Sequence, residues 1–212
     1  QMADGAGYLV KTGEDAWEAR HVVVATGLYQ EPKIPSFAAE LNPEIVQQHS
    51  GKYRNPQALP PGAVLVVGTA QSGCQIAEEL YLSGRKVYLC VGSAGRVPRR
   101  YRGKDVYEWM YLSGFLSRTP DKLPSPQAKF GANPHVSGKD GGRTLNLHQF
   151  ARDGVVLLGR IRNGSGDTIW LANDLKENLK KSDQVEVDIV KMIDDYITRA
   201  GLQAPPQVLP VL

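Results

Sequence analysis

Cysteine is scarce in this sequence of 212 residues, which contains only Cys74 and Cys90. The two are far apart, so they form neither a Cys-x-x-Cys redox pair nor the spacing of a metal site. Both lie in or beside apolar stretches, which is typical of small buried side chains in a reducing compartment. The scarcity of cysteine therefore argues against a thiol–disulphide reductase, and no metal ligands are predicted.

The sequence also lacks a long apolar run. No stretch approaches the ~20 residues of a membrane-spanning helix, and no basic segment followed by an apolar one opens the chain. We therefore expect a cytoplasmic location with no membrane span. The chain begins with Gln1 rather than Met, and its first stretch is unusual for the start of a domain, so we expect a fragment of a longer protein.

Acidic residues are absent between Arg85 and Asp105, although the formal net charge of the whole chain is only +3. Because the basic residues concentrate in one segment, they indicate a phosphate ligand rather than a nucleic-acid surface. An apolar content of 42% can support the packed core of one sizeable domain, or of one domain with pieces of another.

A glycine-rich turn stands between two apolar segments in the middle of the chain. Val64–Val67 has the composition of a buried strand, and apolar residues at helical spacing follow the turn. The turn reads Gly-x-Ala-x-x-Gly, a dinucleotide-binding fingerprint with alanine in place of the second glycine. The residues predicted to line a pyrophosphate site are Gly68, Thr69, Ala70, Gln71, Ser72 and Gly73.

Each part of this turn has a mechanical reason. Gly68 permits a sharp turn, a small residue at position 70 lets the backbone approach the pyrophosphate, and Gly73 lets the helix pack closely on the strand. The helix amino terminus then faces the phosphates. Residues 86–91 return as a second strand, completing a strand–helix–strand unit. The alternative is a close-packed turn that binds nothing.

The end of this second strand bears on the choice of cofactor. Enzymes that use NAD usually carry an acidic residue there to bind the ribose 2′-hydroxyl. This chain instead has Ser93 and Arg96, followed by Arg99 and Arg100 as second choices. Since an arginine fork can hold a phosphate and a carboxylate would repel it, NADPH is predicted rather than NADH. The alternative is a solvated basic loop.

Periodicity and turn residues predict the other elements. A β-hairpin is predicted over residues 7–20, and an irregular stretch over residues 118–143. The predicted strands are His21–Gly27, Glu44–Val46, Gly154–Ile161 and Thr168–Ala172, with a turn beginning at Asn163–Gly164. The predicted helices cover residues 106–112, 146–151, Asp174–Lys181 and from Ser182 or Asp183 to Ala200.

Three motifs in one order resemble the flavin-dependent monooxygenase-like oxidoreductases, the group that contains the flavin-containing monooxygenases. They are the Ala-Thr-Gly segment at Ala25, Thr26 and Gly27, the His-Ser-x-x-Tyr motif from His49 to Tyr53, and the glycine turn already described. This chain has Ala70 at the position where the family has the second glycine of the turn.

The resemblance implies an α/β fold. Members have a FAD domain interrupted by an NADPH domain, and their FAD-binding glycine motif is missing from this sequence. We therefore expect residues 1–56 to be a partial FAD-domain segment, a β-hairpin stub, with the interdomain linker. Residues 57–212 are expected to form a Rossmann-like NAD(P)-binding domain, a parallel sheet flanked by helices, with an insertion at about 105–150.

The same resemblance implies the chemistry. NADPH would pass hydride to FAD, and the reduced flavin would activate oxygen. FAD would be bound by the full-length protein and not by this fragment. The expected partner of the fragment is therefore the missing part of the FAD domain. His49 would order the linker near bound NADP, or serve only as a hydrogen-bonded loop histidine. The Ala-Thr-Gly backbone would lie where the domains meet, and no acid–base catalyst is predicted.

Two other readings of the sequence lead to different functions. A short-chain dehydrogenase would need a Tyr-x-x-x-Lys pair on one helix face; Tyr29 and Lys33 have this spacing, but Pro32 stands between them and disfavours a helix there. A non-catalytic NADP-sensing Rossmann module that regulates a partner fits the short length. The Ala-Thr-Gly and His-Ser-x-x-Tyr motifs argue against such a module, because they are expected where the chain passes between two domains and a sensor has no second domain.

Overall fold

A computed structural model describes residues 7–27, 31–123, 125–130 and 134–210. The chain divides into two compact units, Gln1–Ile34 and Pro35–Leu212. In the first unit, strands β1 (Tyr8–Thr12) and β2 (Asp15–Ala19) pair antiparallel around a turn. The functional division into residues 1–56 and 57–212 stays a prediction.

The apolar run that follows this hairpin is not a strand, so the prediction for His21–Gly27 is wrong for the described residues. Val23 and Val24 are 85% and 82% exposed. A strand requires a neighbouring strand to satisfy its backbone hydrogen bonds, and none of the strands in the described part of the chain pairs with this run. The short strand predicted at Glu44–Val46 is also absent, because this segment lies in a turn closed by a hydrogen bond from the Ile45 amide to the Asn42 carbonyl.

The second unit is built on a parallel sheet of three strands. Its first strand, β3 (Val64–Val67), leads through helix α1 (Gln71–Leu82) to β4 (Val87–Cys90), as the pattern of the sequence predicts. In this pair Val64 lies opposite Val87 and Val67 lies opposite Cys90.

The remaining elements follow in chain order. They are β5 (Arg100–Tyr101), β6 (Lys104–Asp105), α2 (Val106–Leu112), β7 (Val136–Ser137), β8 (Arg143–Thr144), α3 (Leu147–Arg152), β9 (Val156–Leu158), β10 (Ile161–Ser165), β11 (Thr168–Leu171) and α4 (Leu175–Arg199). Strand β9 pairs parallel with β4, so the sheet order is β3–β4–β9. The remaining pairs, β5–β6, β7–β8 and β10–β11, are antiparallel.

Two apolar clusters hold this unit together. The first lies on the sheet, where Leu80 of α1 and Phe150 of α3 pack against strand residues such as Leu89. The second joins α2 to the carboxyl half of α4, around Trp109 and Ile193. Because helices cover the sheet, its strands are apolar in nearly every position.

Strand β10 contains Asn163 and Gly164, where a turn was predicted. The turn lies instead at Gly166, which has a φ of +54°. Gly164 is needed inside the strand because a Cβ there would lie 2.8 Å from Leu41 Cδ2 and 3.2 Å from Phe37 Cδ2. Close packing from a distant part of the chain therefore explains a glycine that looks locally like a turn signal.

Helix α4 is one continuous helix rather than the two that were predicted. Ser182 looks like an amino-terminal cap in the sequence, but it is 2% exposed and its carbonyl accepts a hydrogen bond from the Arg96 amide at 3.1 Å. The helix ends at Arg199, one residue before the predicted end, with Ala200 as its carboxyl-terminal cap and Gly201 following at a φ of +63°. No helix in the described part of the chain is both long and apolar enough to cross a membrane.

Both cysteines are buried, and we predict that they do not react in the folded protein. Burial raises the pKa of Cys90 to about 11 and raises that of Cys74 further, with a contribution from Glu78. Since only the thiolate attacks disulphide reagents, Ellman's reagent should modify neither thiol under native conditions and both in guanidinium. A Cys90→Ser variant should lose half of the signal in guanidinium. Rapid modification of the native chain at neutral pH would contradict this account.

Candidate nucleotide-binding site

The turn between β3 and α1 is shaped by two glycines. Gly68 has a φ of +101°, a conformation that residues with side chains rarely adopt. A Cβ on Gly73 would lie 2.0 Å from the carbonyl oxygen of Gly68, so no side chain fits there. The first turn of α1 therefore lies directly against the end of β3, as the fingerprint predicts.

The amino terminus of α1 is open to a ligand. Its cap residue is Ala70, which has no side chain able to accept a hydrogen bond from the first-turn amides. The first backbone bond of the helix runs from the Cys74 amide to the Ala70 carbonyl, so the amides of residues 71–73 have no acceptor within the helix. Ala70 and Ser72 are exposed, and Gln71 and Gly73 are half-buried. This arrangement presents amide donors and the positive end of a helix dipole to an anion.

Thr69 has a structural task at this turn. It is 1% exposed, and its hydroxyl accepts a hydrogen bond from the Gly92 amide at 3.0 Å, which ties the end of β3 to the end of β4. Its carbonyl accepts a hydrogen bond from the Cys74 thiol at 3.3 Å. The side chain that was predicted to line the ligand site therefore points into the fold.

The residues predicted to bind a 2′-phosphate have different environments. Ser93 is exposed at the end of β4. Arg96 is 2% exposed, and its guanidinium contacts two carboxylates of α4: Nη2 lies 2.5 Å from Glu186 Oε2, and Nη1 lies 3.3 Å from Asp183 Oδ1. In this structure Arg96 therefore binds acidic side chains of the same chain.

The two further arginines also have partners within the chain. Arg99 pairs with Asp105, with 2.6 Å between Nε and Oδ2. Arg100 donates hydrogen bonds to the carbonyls of Gly141 and Gly142 at 2.8 and 3.0 Å. The Arg100 contacts hold the segment after β4 against the β7–β8 region, and no local pattern in the sequence predicts them.

His135 is the polar residue near this site that sequence reasoning missed. It is fully buried, its amide donates a hydrogen bond to the Gly95 carbonyl at 2.9 Å, and neither ring nitrogen has a hydrogen-bond partner in the described structure. Burial and the positive charge of Arg96 lower its pKa to about 4, and the negative charge of Asp183 opposes this shift. His135 lies in a stretch without periodicity, so no sequence signal could have placed it here.

The His-Ser-x-x-Tyr motif forms a compact turn. The ring of His49 accepts a hydrogen bond from the Gly51 amide through Nδ1 at 3.2 Å. Tyr53 donates a hydrogen bond to Glu79 on α1 at 3.0 Å, and burial together with this bond raises its pKa. The motif therefore fastens the segment before the sheet to α1. Ala25, Thr26 and Gly27 are exposed in the first unit.

Comparison with known proteins identifies related sequences. The model of the pyridine nucleotide-disulphide oxidoreductase family matches residues 2–107. An uncharacterized CzcO-like oxidoreductase of Geobacillus kaustophilus is 42% identical over 111 residues, which cover 52% of this chain and 32% of the relative. The flavin-containing monooxygenase iboF of Amanita muscaria is 40% identical over 107 residues, which cover 48% of this chain and 19% of the relative. Flavin-containing monooxygenase 1 of Mus musculus is 31% identical over 108 residues, which cover 50% of this chain and 20% of the relative.

These matches confirm the resemblance to flavin-dependent monooxygenase-like oxidoreductases that the three motifs indicate. The chain spans about a third of the length of the CzcO-like relative and about a fifth of the two monooxygenases.

We predict that the folded chain loses stability in mild acid because His135 is buried. Its pKa of about 4 lies below the ordinary 6.5, so the unfolded chain takes up the proton first as the pH falls. Unfolding therefore becomes easier from pH 6.5 down to about 4, by about 3 kcal/mol in total. In urea titrations, His135→Gln should flatten this part of the pH profile, whereas the exposed-site control His21→Gln should retain it. An unchanged profile in His135→Gln would show that another group titrates.

Proposed function

Because the chain belongs to the pyridine nucleotide-disulphide oxidoreductase family, we propose that it forms the NADPH-binding part of a flavin-dependent monooxygenase-like oxidoreductase. The observation that carries this proposal is the open amino terminus of α1 behind the Gly68–Gly73 turn. The sheet order β3–β4–β9 supports it, since consecutive neighbouring parallel strands make up half of a dinucleotide-binding sheet.

The turn fits a pyrophosphate on three counts. Gly73 brings the helix amides against the strand end, and no atom of the described residues lies within 4 Å of the position that a Cβ on Gly68 would take. The cap residue Ala70 is small and exposed, which leaves the backbone accessible. We therefore propose that the amides of residues 70–73 bind the two phosphates of the nucleotide.

The preference for NADPH is proposed from the end of β4. A carboxylate that binds the ribose 2′-hydroxyl is missing from the segment directly after this strand, where Ser93 is exposed. Ser93 can donate a hydrogen bond to a 2′-phosphate. Arg96 can add charge once its contacts with α4 are released, and Arg100 is exposed nearby in the sequence.

The chain itself binds and orients the nucleotide in this proposal. When both cofactors are bound to the whole protein, NADPH supplies hydride and the flavin supplies the oxygen chemistry. Tyr53 holds the linker segment against α1 and His49 orders the turn before it, as their hydrogen bonds support. The first unit, with Ala25, Thr26 and Gly27, would belong to the flavin-binding part. No observation favours the NADP-sensing alternative.

A charge placed at the helix terminus tests the pyrophosphate site. We predict that Ser72→Asp weakens binding of both NADPH and NADH at least about tenfold, because the carboxylate repels the phosphates and caps their amide donors. The same substitution should leave the melting temperature equal or higher. Isothermal titration calorimetry measures both affinities, and unchanged affinities would rule out this terminus as the site.

A second substitution tests the close approach of the helix. Gly73→Ala places a methyl group against the Gly68 carbonyl and should abolish binding of both nucleotides. Gly138→Ala is the matched control, since its φ is −90° and nothing lies within 4 Å of its added Cβ. Retained binding in Gly73→Ala, or equal loss in the control, would contradict the proposed geometry.

A further inference from the structure

Arg96 has more donors than its partners in the chain accept. Of its guanidinium nitrogens, Nη2 donates to Glu186 at 2.5 Å, whereas Nε and Nη1 have no hydrogen-bond partner in the described structure. Asp183 lies 3.3 Å from Nη1 as an ion pair without making a hydrogen bond there. Unsatisfied donors on a buried charged group are costly, so they call for an explanation.

A second buried residue beside Arg96 also has unsatisfied nitrogens. Both ring nitrogens of His135 are buried without a partner, and the two residues are joined by a backbone bridge. Gln75 on α1 donates a hydrogen bond to the carbonyl of Val136 at 3.0 Å, which holds this strand segment against the first turns of α1. The unused donors therefore lie in the part of the fold that carries the proposed nucleotide site.

Helix α4 covers the end of β4 at this point. Asn178 donates a hydrogen bond to the Val91 carbonyl at 3.0 Å, and Gly95 is so close to Val185 that a Cβ would lie 2.5 Å from its Cγ1. In open parallel sheets, ligands bind beyond the carboxyl ends of the strands. The carboxylates that hold Arg96 therefore come from a helix lying beside the place that the adenosine ribose would take.

We propose that Glu186 and Asp183 are specificity-determining residues, whose carboxylates hold Arg96 until the 2′-phosphate of NADPH replaces them. This inference rests on the proposed function. Carboxylate and phosphate are alternative partners for the same guanidinium fork, and a phosphate offers three oxygens to its donors. The 2′-phosphate can thus accept hydrogen bonds from Nε and Nη1 of Arg96 as well as from Nη2. NADH has no 2′-phosphate and leaves the ion pairs intact.

The exchange has a route from solvent. The side chain of Asp183 is 32% exposed and that of Glu186 is 13% exposed, whereas that of Arg96 is 3% exposed. Asp183 also has a second partner, His148, whose Nε2 lies 3.0 Å from its other oxygen. Asp183 can therefore turn toward His148 and release Nη1, so that an incoming anion first meets the outer edge of the pair.

The test is the ratio of the NADPH and NADH dissociation constants in charge-removing variants. Glu186→Gln should tighten NADPH about tenfold and leave NADH unchanged, because only the competitor of the 2′-phosphate is removed. Asp183→Asn, which changes a more exposed contact, should act in the same direction with a smaller effect. Asp188→Asn, an exposed acid on the same helix that pairs with Gln184, should change neither nucleotide.

Two small probes separate the phosphates. Titration with 2′-AMP should show the gain in Glu186→Gln, and titration with 5′-AMP should not. If wild-type chain binds NADPH and NADH but Glu186→Gln leaves their ratio unchanged or lowers it, this inference is overturned and the proposed function stands. If neither nucleotide binds the wild-type chain, both fail. Melting curves confirm folding, and should Glu186→Gln unfold, the result with Asp183→Asn decides.

Discussion

The structure of the second unit depends on the contact between Gly73 and the carbonyl of Gly68. Only a hydrogen atom fits at the side-chain position of residue 73. Because Gly73 has no side chain, α1 can start directly at the end of β3. The contact brings the first turn of α1 against the end of β3, and Leu80 of the helix and Leu89 of the sheet belong to one apolar cluster. It also leaves the amide donors of the first helical turn turned toward the strand end. One close approach therefore serves both the fold and the proposed binding of phosphates.

A second set of contacts works at the end of β4. The hydroxyl of Thr69 joins the two strand ends, and helix α4 binds the following segment through Asn178, Ser182 and Glu186. Burial of Arg96 against carboxylates is costly unless the pair is well satisfied, and here two of its nitrogens are not. A partner that satisfies them would stabilise the charged form of the site. This is the physical basis for including α4 in the proposed nucleotide site.

Local signals in the sequence account for the strand–helix–strand unit. The apolar runs, the two glycines and the spacing of Ile76, Ala77 and Leu80 all act within a few residues, so β3, α1 and β4 could be predicted from them. Helix α2 could be predicted as well, because Asp105 accepts a hydrogen bond from the Tyr107 amide as a cap. The predictions failed where distant contacts decide the outcome. Ser182 is buried inside a helix, and Gly164 lies inside a strand because Leu41 packs against it.

The same distinction applies to the candidate site. The turn was predictable because nearby glycines determine its backbone geometry, but the partners of Arg96 lie 87 and 90 positions further along the chain. The central claim, that the first turn of α1 binds the phosphates of a dinucleotide, is tested most directly by following backbone amide resonances of the labelled chain during titration with NADP⁺. The account predicts that the amides of residues 70–73 shift first and furthest. Saturable shifts confined to other regions, or none at millimolar nucleotide, would contradict it.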